Sequence, residues 1–296
     1  MDWDKLRVFH VVAETGSFTH AGEALNLSQS AVSRQISGLE GSLDVPLFHR
    51  HARGLVLTEQ GERLYRSVHE IYAKLAMTEA QIRESKKSPK GPLRITTTIA
   101  FGSVWLTSHM AEFLSLYPDI DVSMVLNDSD LDLSMGEADV AVRMTPPTQP
   151  DLVQRRLMTL QFHVFASSEY IKKHGMPLSP ADLDKHQIVV YGEDARPPVD
   201  DLDWLLRAGA TPGKPRRAIL KVNNIYGIYR VVRSGLGIGA IPDYLSRHAP
   251  NLMEVLPELR GPTYDAYFVY PEALRDSKRI AVFRDFLLRK IAEDRL

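Results

Sequence analysis

The sequence predicts a multidomain chain: a small, mainly α-helical N-terminal domain ending in a basic hairpin, a long connecting helix, and an α/β domain of two subdomains. Three observations carry this expectation. Two short apolar-periodic segments separated by a turn lie between Ser17 and Leu39. A charged, Pro/Gly-rich break stands at Lys86-Lys87-Ser88-Pro89-Lys90-Gly91-Pro92, where a long helix must end. Beyond it, strand-like and helix-like stretches alternate, the pattern of a parallel sheet covered by helices. A chain of 296 residues exceeds a usual single domain and can bury sizeable cores.

The first helix is expected from Trp3 to Thr15, because Leu6, Phe9, Val12 and Ala13 recur at spacings of three and four. Gly16 stops it in a left-handed position. Ser17 caps a short second helix holding Ala21, Ala24 and Leu25, whose small alanines let another helix cross closely. Ser28 caps a third helix from Gln29 to about Leu43.

On the third helix, Val32, Ile36, Leu39 and Leu43 fall in one narrow inward stripe. Ser30, Ser33, Arg34 and Ser37 lie on the other side, with Gln29 at the leading end. Short hydroxyls allow close approach to phosphates and base edges, and Gln and Arg supply bidentate groups that read adenine and guanine. An ordinary solvated helix face would look similar. The segment from Pro46 to Thr58 decides between the two, since it reads as a tight hairpin with Arg50 and Arg53 near its tip. A basic hairpin beside a recognition helix is a wing that reaches a phosphate backbone or minor groove. His49 and His51 suit solvent or phosphate better than a metal, because no cysteine or nearby carboxylate stands at ligand spacing.

The run LRVFHVVAETGSFTHAGEALNLSQSAVSRQISGLEGSLDVPLFHRHARGLVLTEQG resembles the winged helix-turn-helix of LysR-type transcriptional regulators over about sixty residues. Its HRHARGLVLTEQG part is especially similar to the LsrB/VtlR-like branch. Ser30 stands where many members of the family carry proline, and serine there keeps a hydroxyl donor.

Thr58 can cap the next helix, with Glu59 and Glu62 at its positive end. Leu64, Val68, Ile71, Leu75 and Ile82 repeat with the rhythm of a coiled-coil seam. A helix of about 28 residues would extend roughly 42 Å. A dimer is therefore expected over a long helix packed on its own domain, and the resemblance implies the same. Two recognition helices would then meet a pseudo-palindromic duplex in register. The expected division is 1–58 for the winged domain, 59–87 for the linker helix, 88–92 for a hinge and 93–296 for the α/β domain. Within the last, 93–159 with 266–296 form one subdomain and 160–265 the other.

Net charge is only −1, so no bulk basic field draws nucleic acid indiscriminately, and affinity must come from Arg34, Arg50 and Arg53. The lack of cysteine excludes disulfides, thiol redox sensing and cysteine-based catalysis. No export signal and no membrane-length apolar stretch are seen, so a cytoplasmic protein without membrane contact is expected, on the nucleoid when DNA-bound.

In the α/β part, strands are expected at Leu93–Thr98, Val122–Leu126, Ala138–Arg143, Leu160–Ala166, Ile188–Tyr191, Ile219–Val222 and Ala266–Tyr270. Helices are expected at Trp105–Leu116, between Asn224 and Gly235, and at Ile280–Ile291. The resemblance implies two α/β subdomains of the kind found in periplasmic solute-binding proteins. Gly235, Gly237 and Gly239 follow a helix instead of joining a strand to one, so a dinucleotide loop is not indicated and close helix–sheet packing is.

A ligand belongs in the cleft at the carboxyl ends of the parallel strands. Thr97 and Thr98 end the first strand, and Ala100 and Phe101 open the helix whose backbone N–H groups can hold an anion. By resemblance Asn223, Asn224 and Ile225 supply contacts across the cleft, with Asn127 and Arg143 near the rim. Each has a structural alternative as a cap, an ion pair or packing. The sequence thus predicts a DNA-binding transcriptional regulator modulated by a small-molecule effector, with no other cofactor or metal. Double-stranded DNA, RNA polymerase and further copies of the chain, as dimer and tetramer, are the expected partners. A solute-binding protein lacks reason for the winged domain, and an enzyme lacks a visible nucleophile–base set, metal cluster or phosphate loop.

Overall fold

The computed structural model describes residues 2–51, 54–83, 88–147, 149, 151–192, 197–247 and 249–296. It divides into two compact units near residue 80.

The N-terminal unit is built on α1 (Trp3–Thr15), α2 (Phe18–Leu25) and α3 (Gln29–Leu43). The local rules that define these helices are satisfied by their caps. Asp2 accepts from the Asp4 N–H, Ser17 from His20 and Ser28 from Ala31, while Gly16 ends α1 at φ 61°. The periodic residues make one core, with Phe9, Val12, Ala21, Val32, Ile36 and Leu39 fully excluded from water. Ala24 is exposed, so the expected close approach there is not made. Gly22 is instead held tightly against the turn that follows, since a Cβ at that position would stand 2.6 Å from the Leu27 carbonyl oxygen.

The antiparallel hairpin follows, β1 (Phe48–His51) and β2 (Gly54–Leu57), with Phe48 opposite Leu57 and His51 opposite Gly54. Its entry is tied to α3 because Glu40 Oε1 accepts the Leu47 N–H at 2.8 Å and the Phe48 N–H at 3.3 Å. Thr58 is buried, donates to the Pro46 carbonyl at 2.8 Å and accepts from the Gly61 N–H at 3.0 Å. That capped turn starts α4 (Glu59–Arg83), 25 residues long. Part of the seam expected on this helix belongs instead to the N-terminal core, and the Ile82 side chain lies outside the described residues. Val68 is buried in the N-terminal core with Leu64 half-buried beside it, whereas Ile71 and Leu75 are 43% and 50% exposed.

The second unit contains β3 (Gly91–Thr97), α5 (Thr107–Leu116), β4 (Ile120–Leu126), β5 (Val140–Arg143), β6 (Leu152–Ser167), α6 (Ser168–His174), β7 (Ile188–Tyr191), β8 (Leu220–Val222), α7 (Ile225–Arg233), β9 (Ile238–Pro242), α8 (Asp243–Ser246), β10 (Leu252–Glu254), β11 (Thr263–Pro271) and α9 (Lys278–Glu293). The strand order β4-β3-β5-β11-β6-β9-β7-β8, with β10 also on β6, is a mixed sheet. The outer strands form two parallel sets, β4-β3-β5 and β9-β7-β8, with α5 joining β3 to β4 and α7 joining β8 to β9. The antiparallel strands β11 and β6 join them.

Two expectations change. The strand expected at Leu160 begins at Leu152, because Gln154, Arg155 and Arg156 are exposed there and hide the apolar alternation. The helix expected at Trp105 begins with residues 99–100 and passes through a π-helical turn, Phe101–Leu106, which buries Phe101 and Trp105. Packing of both rings in the core compensates for the wider turn. After α7, the helix–sheet contact is close: a Cβ at Gly239 would stand 2.7 Å from Val232. Phe113 of α5 meets Phe283 and Phe286 of α9 with ring centroids 5.3 and 5.1 Å apart, so the terminal helix closes the first subdomain. Among the described residues no helix is long and apolar enough to cross a membrane.

Candidate functional site

The candidate nucleic-acid surface is the side of α3 opposite the buried stripe. Gln29, Ser30, Arg34 and Ser37 are exposed there and Ser33 is half-buried. Ser30 Oγ lies 3.1 Å from Ser28 Oγ, and Arg34 Nε donates to the Ser30 carbonyl at 3.3 Å. These are local bonds on an open surface, leaving the guanidinium termini available to a base edge. On the hairpin, Arg50 pairs with Leu55 through the backbone, while the Arg50 side chain and the whole of Arg53 lie outside the described residues. His49 and His51 are both exposed, their rings 6.1 Å apart.

Among the described residues, His10, Glu14 and His69 bring metal-capable atoms within 4.8 Å of one another. The geometry is that of a clasp. His10 Nε2 is hydrogen-bonded to His69 Nδ1 at 2.8 Å, whereas Glu14 lies 3.7 Å from the other ring nitrogen. Two nitrogens on different edges of one imidazole do not converge on a common ion.

In the second unit a cavity of about 390 Å³ opens at the carboxyl ends of β3, β4 and β5, lined by Thr96, Thr97, Thr98, Asn127, Asp128 and Arg143 among others. Its size suits a metabolite. A small apolar cavity, lined by Ala100, Leu160, Phe162, Val199 and Ile225, shares Thr98, Asp128, Met144 and Pro198 with it. Of the residues expected at the cleft, Thr97, Thr98, Asn127 and Arg143 line the larger cavity, and Ala100 and Ile225 the smaller.

The remaining expected residues are placed differently. Phe101 is fully buried, stacked 4.8 Å from Trp105, so its ring has no face for a ligand. Asn224 is the cap of α7, accepting the Gly227 N–H at 2.6 Å, and neither it nor the exposed Asn223 lines these two cavities. The side-chain roles are set by packing and capping, which local sequence alone could not separate from ligand contact.

Two charges shape the larger cavity. Arg143 is 5% exposed, with Nε 3.1 Å from Asp130 Oδ1 at an angle unsuited to a hydrogen bond, and it donates to the Leu131 carbonyl. Thr97 donates to the Val142 carbonyl at 3.1 Å. Asp128, absent from the sequence expectations, accepts the Ile99 N–H on Oδ1 at 3.0 Å. Burial pushes its carboxyl above the ordinary aspartate value, the Ile99 bond offsetting part of this. The charge of Asp128 and, chiefly, burial push Tyr191 up to about 12. The signal for Asp128 lay in its position just past the end of β4, where a carboxylate can meet a neighbouring helix start.

A helix-turn-helix with a hairpin wing, on a chain that also carries an α/β unit holding a metabolite-sized cavity, defines the class of ligand-responsive DNA-binding regulators. Residues 3–62 match the family described as bacterial regulatory helix-turn-helix protein, lysR family, and residues 86–292 match the LysR substrate binding domain. The chain belongs to the LysR family of transcriptional regulators. It is 30% identical over 297 residues to an HTH-type transcriptional regulator of Xanthomonas campestris pv. campestris, covering 99% of this chain and 86% of that protein. The structure of CrgA, a LysR-type transcriptional regulator from Neisseria meningitidis, superposes with a TM-score of 0.62 at 29% identity, over 98% of this chain and 99% of that one. That of the Vibrio cholerae virulence activator AphB gives 0.61 at 26% identity, over 98% and 99%.

Proposed function

We propose that this LysR-family regulator binds pseudo-palindromic promoter DNA as a homodimer, and as a tetramer of two such dimers, through Gln29, Ser30, Ser33, Arg34, Ser37, Arg50 and Arg53. The observation that carries the reading is the exposed, hydroxyl-rich face of α3 beside a hairpin held in place by Glu40. A small-molecule effector in the cavity at the ends of β3, β4 and β5 shifts the geometry of that binding, which requires different effector affinity in the two states. RNA polymerase is the downstream partner, the protein acts in the cytoplasm on the nucleoid, and it performs no chemistry of its own. No metal or other cofactor takes part. Placement in the LsrB/VtlR-like branch rests on the hairpin segment HRHARGLVLTEQG.

Footprinting on the DNA upstream of its own gene and its neighbours tests the reading. A protected, dyad-symmetric site at physiological ionic strength is the expected result. Equal affinity for promoter fragments and random duplex would overturn it.

A further inference from the structure

The start of the helix after β3 is the place where an anionic ligand would ordinarily be held by backbone N–H groups. Here the chain fills that place itself. The Ile99 N–H donates to Asp128 Oδ1, so an incoming carboxylate or phosphate would meet a fixed negative group. The second carboxylate oxygen, Oδ2, is shut away from solvent and has no hydrogen-bond partner among the described residues. A buried acceptor left without a donor is costly, more so when it carries charge. The cation lining the same cavity, Arg143, lies against Asp130 and the Leu131 carbonyl.

Asp128 also lies where the polar cavity meets the apolar one, beside Thr98, Met144 and Pro198. A ligand group reaching Asp128 therefore has room of about 390 Å³ on one side and a hydrocarbon wall of Leu160, Phe162 and Val199 on the other.

We propose that the cleft selects a small amine: a molecule whose ammonium group pairs with the Asp128 carboxylate where it lines the cavity and whose adjoining carbons lie against the apolar wall. This rests on the reading of the cavity as the effector site and names the chemistry of what enters it. A charge-assisted pair there offsets the desolvation of the carboxylate. Thr98, which lines both cavities, stands at the same end of the molecule.

The test uses full-length protein and matched probes of equal carbon skeleton: butylamine, butanol and butyrate, then phenethylamine, phenylethanol and phenylacetate. Thermal unfolding is followed with each at millimolar concentration. The amines are expected to raise the melting temperature in a saturable way, the carboxylates to leave it unchanged and the alcohols to fall between. In Asp128→Asn, which keeps an oxygen for the Ile99 N–H and so keeps the fold, the half-saturating amine concentration should rise at least about tenfold. Stabilisation by the carboxylates in preference to the amines, no response to any amine, or an undiminished response in Asp128→Asn each overturns the proposal. The first comparison needs no variant. Promoter footprinting needs no ligand, so a failure here is separable from failure of the regulatory reading.

Discussion

His10 Nε2 lies 2.8 Å from His69 Nδ1, a single hydrogen bond that fastens α1 to α4. One ring must donate and the other accept, so the pair cannot be doubly protonated and keep the bond. The His10 ring is also stacked 4.9 Å from Tyr72 and 5.5 Å from Tyr65, and burial pushes its basicity below the ordinary histidine value, against the pull of Glu14. The folded state thus binds fewer protons at His10 than the unfolded chain does. Stability is complete above the ordinary histidine pKa of 6.5 and is lost as pH falls from there through the depressed folded value. The thermal midpoint of the protein should drop between pH 7.5 and 5.5, and His10→Gln should flatten that dependence. A single proton sets the ceiling at about 1.4 kcal/mol per pH unit. Identical pH profiles for the two proteins would remove His10 as the source.

Two glycines of the helix-turn-helix should respond to alanine with opposite signs. At Gly22 the new Cβ would stand 2.6 Å from the Leu27 carbonyl oxygen, a backbone atom that the turn into α3 holds in place. Gly22→Ala should cost about 1–3 kcal/mol, the usual range for overpacking. At Gly41, exposed within α3, a Cβ meets nothing within 4 Å. Gly41→Ala should stabilise by about 0.5–1 kcal/mol through helix propensity. Urea unfolding of both variants against the parent checks the pair, and a shared sign would contradict the packing described.

Much of this architecture was legible from local rules. Ser17, Ser28 and Thr58 cap their helices as their residue type and position imply, and Gly16 takes the left-handed conformation expected of it. The apolar stripe Val32, Ile36 and Leu39 is the buried face of α3 because periodicity alone determines which side of a short helix can join a core. What escaped depends on distance along the chain. Asp128 meets Ile99 across two strands, and Val68 joins the N-terminal core through a tertiary contact that no spacing rule distinguishes from a coiled-coil seam. Phe101 and Asn224 each open a helix at a strand end, the position expected of cleft residues, yet the π-helical turn carries the Phe101 ring into the core and capping occupies the Asn224 side chain.

Arg34 offers the most direct probe of groove reading. Its guanidinium is exposed on α3 and, among the described residues, is held through Nε by the Ser30 carbonyl at 3.3 Å. If the remaining nitrogens contact a base edge, Arg34→Ala should weaken operator binding by about 1–3 kcal/mol and relax preference at one base position. Titrations against the operator and single-base variants distinguish this from a phosphate contact. A phosphate contact would weaken all sequences alike and lower the salt slope by about one.

The exposed stretch of α4 carries the prediction about assembly. Ile71 and Leu75 are 43% and 50% exposed, whereas Val68, one turn earlier on the same helix, is 2% exposed inside the N-terminal core. Two large aliphatic side chains on one helix face, spaced by four, are what a second copy of the helix would cover. Leu75→Asp places a charge in that interface and removes nothing from the core of the single chain. It should therefore convert dimers to monomers in sedimentation at micromolar concentration while leaving the helical circular dichroism of the fold intact. Operator affinity should fall with it, because one recognition helix then binds without its mate and the advantage of two linked half-sites is lost. Val68→Ala is the complementary change, expected to lower the melting temperature with little effect on association. A Leu75→Asp protein that sediments as an intact dimer would place the contact between copies elsewhere.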